Sequence, residues 1–344
     1  MPLATPAEYA GMLDAAAAGG WALPAVNVTS TQTLVAVLQG LAQARADGIV
    51  QVTTGGAAYL AGDRPGQEAR GAAALAAYAE ALAPAFPTLV ALHTDHCTPD
   101  LADGFLGPLL ERPAARRAEG RPPLFHSHMF DGSTLPLGEN LRRSAGWLER
   151  CAALDVVLEI ECGVVGGEED GVHGGAPGSE RLYTTDADLL EVARVLGTGE
   201  RGRYLLAATF GNVHGVYAPG NVHLRPEILE SGQRALAAAH PGARFQYVFH
   251  GSSGTEPAQL RETLRYGVVK VNVDTEMQHA FTGGVADHVR EHAAVIGALG
   301  GPDAKRAFDP RAWGRRGQAA MAERVAIECE TLGCANRSLA GVSA

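Results

Sequence analysis

The chain has 344 residues, a formal net charge of −10 and an apolar content of 46%. That length suits one barrel-sized domain with a substantial core, and the acidic balance argues against a nucleic-acid partner, which would leave a basic footprint. No stretch approaches the roughly 20 apolar residues of a membrane span and no basic start runs into an apolar core as in a signal peptide, while the five scattered cysteines (Cys97, Cys151, Cys162, Cys329 and Cys334) lack CxxC spacing, as expected of a reduced, cytoplasmic protein.

Helical periodicity covers residues 6–18 and stops at Gly19-Gly20. A strand over 21–27, a helix over 31–46 and a strand over 48–53 follow, then a helix near 67–83. The run Leu89 to Leu92 reads as a strand buried on both faces, and it ends in His93, Asp95 and His96. A strand at 124–129 ends near Asp131, and a helix over 137–153 leads to a strand at 156–161 that ends in Glu161. The Gly- and acid-rich stretch 162–181 has no regular periodicity and reads as a functional loop. After it come a helix (185–196), a strand (204–210), a helix (225–239) and a strand (245–250). The loop Gly251-Ser252-Ser253-Gly254 is read as opening a helix to about 265, before a strand at 267–272 and a helix from Asp274. The tail, 302–338, is helical after Asp309-Pro310-Arg311. About eight strands alternating with helices, with no linker, predict a single (β/α)8 TIM barrel over 1–344 with extra N-terminal and C-terminal helices. A doubly wound open sheet is the alternative architecture.

In a barrel the C-terminal strand ends converge on one mouth, so His96, His214 and His250 meet there despite their separation. Any one of them is more readily a core histidine than a ligand. Three imidazoles with an open position form a catalytic zinc-type site, and Asp95 stands beside it to handle a proton. His93, His126, His128 and His223 are weaker candidates, better suited to packing or support. Glu168-Glu169-Asp170-Gly171 is either a solvated acidic loop or one that brings a general base over the metal. Gly251 to Gly254 and Asn272 to Thr275 offer backbone N–H groups and hydroxyls to a phosphate. Arg311 and Lys305 could meet a second anionic group.

The motifs Leu92-His93-Thr94-Asp95-His96-Cys97, Gly166-Gly167-Glu168-Glu169-Asp170-Gly171, Gly211-Asn212-Val213-His214-Gly215-Val216-Tyr217, Val248-Phe249-His250-Gly251, the run from Gly267 to Thr275, and Asp309-Pro310-Arg311 run in order along nearly the whole chain. Together they resemble the class II, metal-dependent fructose-bisphosphate aldolases, in the longer class IIA branch. The resemblance implies a (β/α)8 barrel assembled as a homodimer or homotetramer, with Zn2+ and a monovalent cation (Na+ or K+) as cofactors. It also implies glycolytic cleavage of fructose 1,6-bisphosphate to dihydroxyacetone phosphate and glyceraldehyde 3-phosphate. On it, His96, His214 and His250 are the zinc ligands, and Asp131 and Glu161 belong to an alternative or second metal site. Asp95 handles the proton on the C4 oxygen, and Glu169 the proton on the dihydroxyacetone phosphate carbon. Asn27, Thr53, Gly215, Gly251, Ser253, Asn272, Asp274 and Thr275 line the substrate, and Arg311 reaches its other phosphate from a neighbouring subunit.

Three positions depart from the family pattern: Ala218 stands where a Lys is usual, Ser252 where a Gly is usual, and Thr53 where a Ser is common. None touches the metal ligands or Asp95, so they bear on substrate identity and affinity. A sibling aldolase with another aldehyde partner, such as one for tagatose 1,6-bisphosphate, is the alternative enzyme. A non-catalytic barrel paralogue is the alternative outside catalysis.

Overall fold

The computed structural model of the chain describes residues 3–163, 166–169, 172–173, 182–214, 224–298 and 301–340, with backbone alone at Ala114, 166–169, 172–173, His214, Ala298 and 301–303. The strands are β1 (Leu23–Asn27), β2 (Gly48–Thr53), β3 (Val90–Cys97), β4 (Ser127–Phe130), β5 (Val157–Cys162), β6 (Gly166–Glu169), β7 (Val172–His173), β8 (Tyr204–Ala208), β9 (Val213–His214), β10 (Tyr247–Phe249) and β11 (Val268–Val273). Eight of them close a ring in which β1 pairs with β2 and β11, and β8 sits between β5 and β10. Every pairing round the ring is parallel. Strands β1, β2, β4, β5, β10 and β11 are buried along their whole length, as a sheet covered on both faces requires.

The helices are α1 (Pro6–Gly19), α2 (Thr31–Ala44), α3 (Thr54–Leu60), α4 (Glu68–Leu82), α5 (Ala102–Ala118), α6 (Leu137–Ala152), α7 (Asp186–Leu196), α8 (Glu227–Ala239), α9 (Pro257–Arg265), α10 (Thr275–Glu291), α11 (Ala293–Ala298), α12 (Gly301–Phe308) and α13 (Pro310–Thr331). A capping box between Thr5 and Glu8 starts α1. This helix brings the buried Tyr9 hydroxyl to 3.1 Å from Ser127 Oγ, at the N-terminal end of β4. The C-terminal α13 packs along α2 and α10.

The predicted strands lie where periodicity put them, to within a few residues. Local signals did not show α3 or α5. Pro108 and Pro113 lie inside α5, where each removes a backbone N–H and strains the preceding turn. Its helical state rests on the side that buries Phe105, Leu106, Leu109 and Leu110. The stretch 162–181 was expected to be irregular throughout, yet β6 pairs antiparallel with β7 and parallel with β9. The loop Gly251–Gly254 does not open a helix: it closes as a turn, with Thr255 N–H on Ser252 C=O, and α9 starts only at Pro257.

Candidate active site

The site is built at the C-terminal ends of β3, β5, β10 and β11. Side chains alternate along a strand, so Asp95 facing the barrel interior would turn His96 outward. A β-bulge prevents this. Thr94 pairs with His128 and Cys97 with Phe130, which leaves one extra residue on β3. His96 takes up the irregularity with φ of +41°, a left-handed conformation that costs a non-glycine residue about 1–2 kcal/mol. The bulge lets Asp95 and His96 face one site.

His96 Nδ1 lies 3.0 Å from Asp131 Oδ2, and His250 Nε2 lies 2.8 Å from Glu159 Oε1. Asn272 Nδ2 donates to His250 Nδ1 at 3.1 Å. These partners place each imidazole proton toward a carboxylate, so the remaining nitrogens carry lone pairs. Those two nitrogens, His96 Nε2 and His250 Nδ1, face each other at 2.9 Å. Two lone pairs so close repel one another unless a proton or a metal ion lies between them. Nitrogens bound at about 2.0–2.1 Å to a tetrahedral ion sit roughly 3.3 Å apart, so the donor set fits a divalent metal. Ligand atoms of Asp95, His96 and His250 all lie within 4.8 Å of one another, as do those of His96, Asp131 and Glu161.

Asp95 has no exposed surface. Its carboxylate accepts from Asn27 Nδ2 at 3.2 Å, Gln51 Nε2 at 2.9 Å, and Asn272 Nδ2 at 3.1 and 3.2 Å. Burial works to raise its pKa, but the facing His96, the His93 contact, Lys270 and His250 outweigh it and hold Asp95 well below the usual carboxylate range. It is therefore an ionised group able to accept a proton. Burial likewise pushes His250 below its ordinary value, against the opposing pull of Glu159.

Below the mouth lies a layer the sequence reading did not assign to the site. Lys270 and Glu159 have no exposed surface and pair at 2.9 Å. Lys270 Nζ also donates to Asn272 Oδ1 at 2.6 Å. Burial raises the Glu159 carboxyl, but Lys270 and the histidines bring it down to about 2. His93 Nδ1 is 2.8 Å from Ser127 Oγ, and its Nε2 is 3.5 Å from Glu159. The missed signal is the period of two: Gln51 precedes Thr53, His93 precedes Asp95, Glu159 precedes Glu161 and Lys270 precedes Asn272 on the same inward face. His126 and His128 point the other way. His126 Nε2 meets Ala4 C=O, its Nδ1 accepts from Leu92 N–H, and His128 Nδ1 is 2.8 Å from Thr94 Oγ1.

The segment that leads into His214 is tied to the His250 backbone. Asn212 Nδ2 donates to His250 C=O at 2.8 Å. Gly251, at φ +66°, lies so close to β9 that a Cβ would fall 2.5 Å from Val213 O, hence a glycine. Gly167 pairs with His214, which brings the strand carrying Glu169 beside β9. The side chains of His214 and Glu169, and the whole of Gly215, Ala218 and His223, lie outside the described residues.

Of the residues expected to meet the substrate's anionic end, Thr53 Oγ1 accepts from Gly56 N–H and caps α3. Ser253 Oγ donates to Glu276, Asp274 accepts from Gln278, and Thr275 opens α10. Arg311 does not join this cluster: it is exposed and folds back on Asp309 at 2.6 Å.

Residues 7–337 match the family model described as fructose-bisphosphate aldolase class-II. The chain belongs to this family. It is 48% identical over 345 residues to a fructose-bisphosphate aldolase of Mycobacterium leprae, covering 99% of each chain. It is 47% identical to that of Corynebacterium glutamicum, covering 96% of this chain and 97% of the relative. The crystal structure of fructose-bisphosphate aldolase from Campylobacter jejuni superposes with a TM-score of 0.85 at 36% identity, over 98% of this chain and 97% of that one. Class-II membership makes the chain a metal-dependent aldolase, a carbon–carbon lyase of phosphorylated sugars. Among the described residues no helix is long and apolar enough to cross a membrane.

Proposed function

We propose that this family member is a zinc enzyme that reversibly cleaves fructose 1,6-bisphosphate to dihydroxyacetone phosphate and glyceraldehyde 3-phosphate, with the residue roles that follow. His96, His214 and His250 hold the ion, and Asp131 and Glu161 offer it an alternative position. The observation that carries the reading is the pair of facing imidazole nitrogens, His96 Nε2 and His250 Nδ1, backed by buried carboxylates beside an ionised Asp95. Bound zinc supplies a Lewis acid for the ketone oxygen. Asp95 accepts the proton of the C4 hydroxyl as the C3–C4 bond breaks. Glu169 returns or removes a proton at the dihydroxyacetone phosphate carbon, and the pairing of its strand with β9 supports that reach. Asn27 and Asn272 hold Asp95 in place and face the substrate. Thr53, Gly215, Gly251, Ser253, Asp274 and Thr275 line the ketose phosphate, and backbone carbonyls there hold Na+ or K+.

The chain works as one barrel domain over 1–344 in the cytoplasm. It assembles as a homodimer or homotetramer in which Arg311 serves a neighbour's site, consistent with its exposure here. The test is cleavage of fructose 1,6-bisphosphate and tagatose 1,6-bisphosphate, with metal analysis, for the wild type and His96→Ala. Expected are bound zinc, preference for the fructose ester, and a loss on the order of 10³-fold on chelation or in His96→Ala. Cleavage that survives a chelator refutes the zinc mechanism, and preference for the tagatose ester refutes the substrate assignment.

A further inference from the structure

In this structure the loop after the third histidine, where a substrate phosphate is expected, has two of its donors taken by a carboxylate. Ser253 Oγ donates to Glu276 Oε2 at 2.6 Å, and Gly254 N–H donates to Glu276 Oε1 at 3.2 Å. One carboxylate thus spans a hydroxyl and a backbone amide of a Gly-Ser loop, the donor types that cradle an anion. Glu276 lies in the first turn of α10, and an acid there already gains from the helix dipole. Its partners need a further reason. They belong to a different strand's loop, 22 and 23 residues back in the chain, and among the described residues Glu276 forms no ion pair with a Lys, Arg or His. Ser252 reinforces the arrangement by donating to Asn272 C=O at 2.8 Å, which ties the loop to β11 just before α10. A glycine at Ser252 could not make that tether.

We propose that Glu276 is an internal anion that occupies the Gly251–Gly254 loop and competes with the substrate phosphate, so that it sets substrate affinity. The inference rests on reading this loop as a phosphate site of the aldolase. A phosphate arriving at Ser253 and Gly254 has to displace a like charge bound to the same donors. That conflict weakens binding of the anionic end of the substrate without touching the groups that make or break bonds, so it falls on KM rather than on kcat.

The experiment measures binding of inorganic phosphate by calorimetry, together with KM for fructose 1,6-bisphosphate, in wild type, Glu276→Gln and Glu276→Ala. Removing the charge is expected to tighten phosphate binding about tenfold, as for one charge-assisted contact, and to lower KM in parallel. Weaker or unchanged phosphate binding in a folded variant overturns the proposal. Should both variants unfold, Glu276→Asp, which keeps the charge but shortens its reach, is expected to tighten phosphate two- to threefold by the same argument, and no gain there also overturns it. A wild type that neither binds phosphate nor cleaves the bisphosphate counts against the reading of the site itself. A wild type that does both, with variants that bind phosphate no better, counts against Glu276 alone.

Discussion

Asp95, Glu159, His250 and Lys270 have no exposed surface, whereas Arg311 is 78% exposed. The proposed metal side is assembled by strands: His96 and His250 are each backed by a carboxylate, and Asp95 is gripped by amides from β1, β2 and β11. The proposed phosphate side is assembled by loops and helix starts, and its groups are occupied by neighbours in the same chain: Ser253 by Glu276 and Asp274 by Gln278, while Arg311, outside this cluster, pairs with Asp309. The difference teaches where binding energy is spent. On the metal side desolvation is completed during folding, so an ion meets preformed donors. On the proposed phosphate side a ligand would exchange one set of contacts for another, and the net gain would be correspondingly smaller.

The sharpest way to break this contrast is to remove the charge beneath the metal side. Glu159→Gln leaves Lys270 buried without its counter-charge, and losing one partner of such a pair costs about 3–5 kcal/mol. The same change loosens the hydrogen bond that orients His250, so metal affinity should fall about 10–100-fold. Denaturant unfolding and competitive chelator titration read the two effects. A variant as stable as the wild type, with unaltered metal affinity, would mean the layer is passive packing. On the phosphate side, Arg311→Ala should leave metal content and unfolding within about 0.5 kcal/mol of wild type, as for other exposed positions. It should raise KM for fructose 1,6-bisphosphate about tenfold, the worth of one charge-assisted contact. An unchanged KM would remove Arg311 from the substrate site.

The smallest expected effect concerns the outward face of β4. Burial holds His128 down to about 3, against about 6.5 in an unfolded chain. Between those values the unfolded chain binds more protons than the folded one, so stability falls as pH drops below about 6.5. The slope from this one residue is at most about 1.4 kcal/mol per pH unit. Thermal unfolding at pH 7.5 and pH 5.5 should show a smaller drop for His128→Gln than for the wild type. Equal drops would place the acid sensitivity in other histidines.

How much could be read beforehand differs between the same two regions. The barrel was legible because strands buried on both faces are unbroken apolar runs, and polar residues cluster where such runs end. Lys270 and Glu159 were given no role because a charge inside an apolar run carries no local sign of its partner, although each lies two residues before a predicted site residue, Asn272 and Glu161, on the same face. Helix α5 was illegible because Pro108 and Pro113 erase its local signal, and tertiary burial of Phe105 and Leu109 outweighs them. The link between Glu276 and the Gly-Ser loop had no local trace, since a glutamate in a helix's first turn is ordinary.

By itself, the order of residues determined the alternation of strands and helices, the (β/α)8 class and the strand ends that carry His96 and His250, because these depend on periodicity and on residue type at strand termini. Only the tertiary structure decided that a bulge turns His96 to the side of Asp95, that Glu159 and Lys270 lie below them, and that Glu276 holds the Gly251–Gly254 loop. Each of these depends on groups far apart in the chain reaching hydrogen-bond distance, and closure of the barrel, not local propensity, fixes that distance.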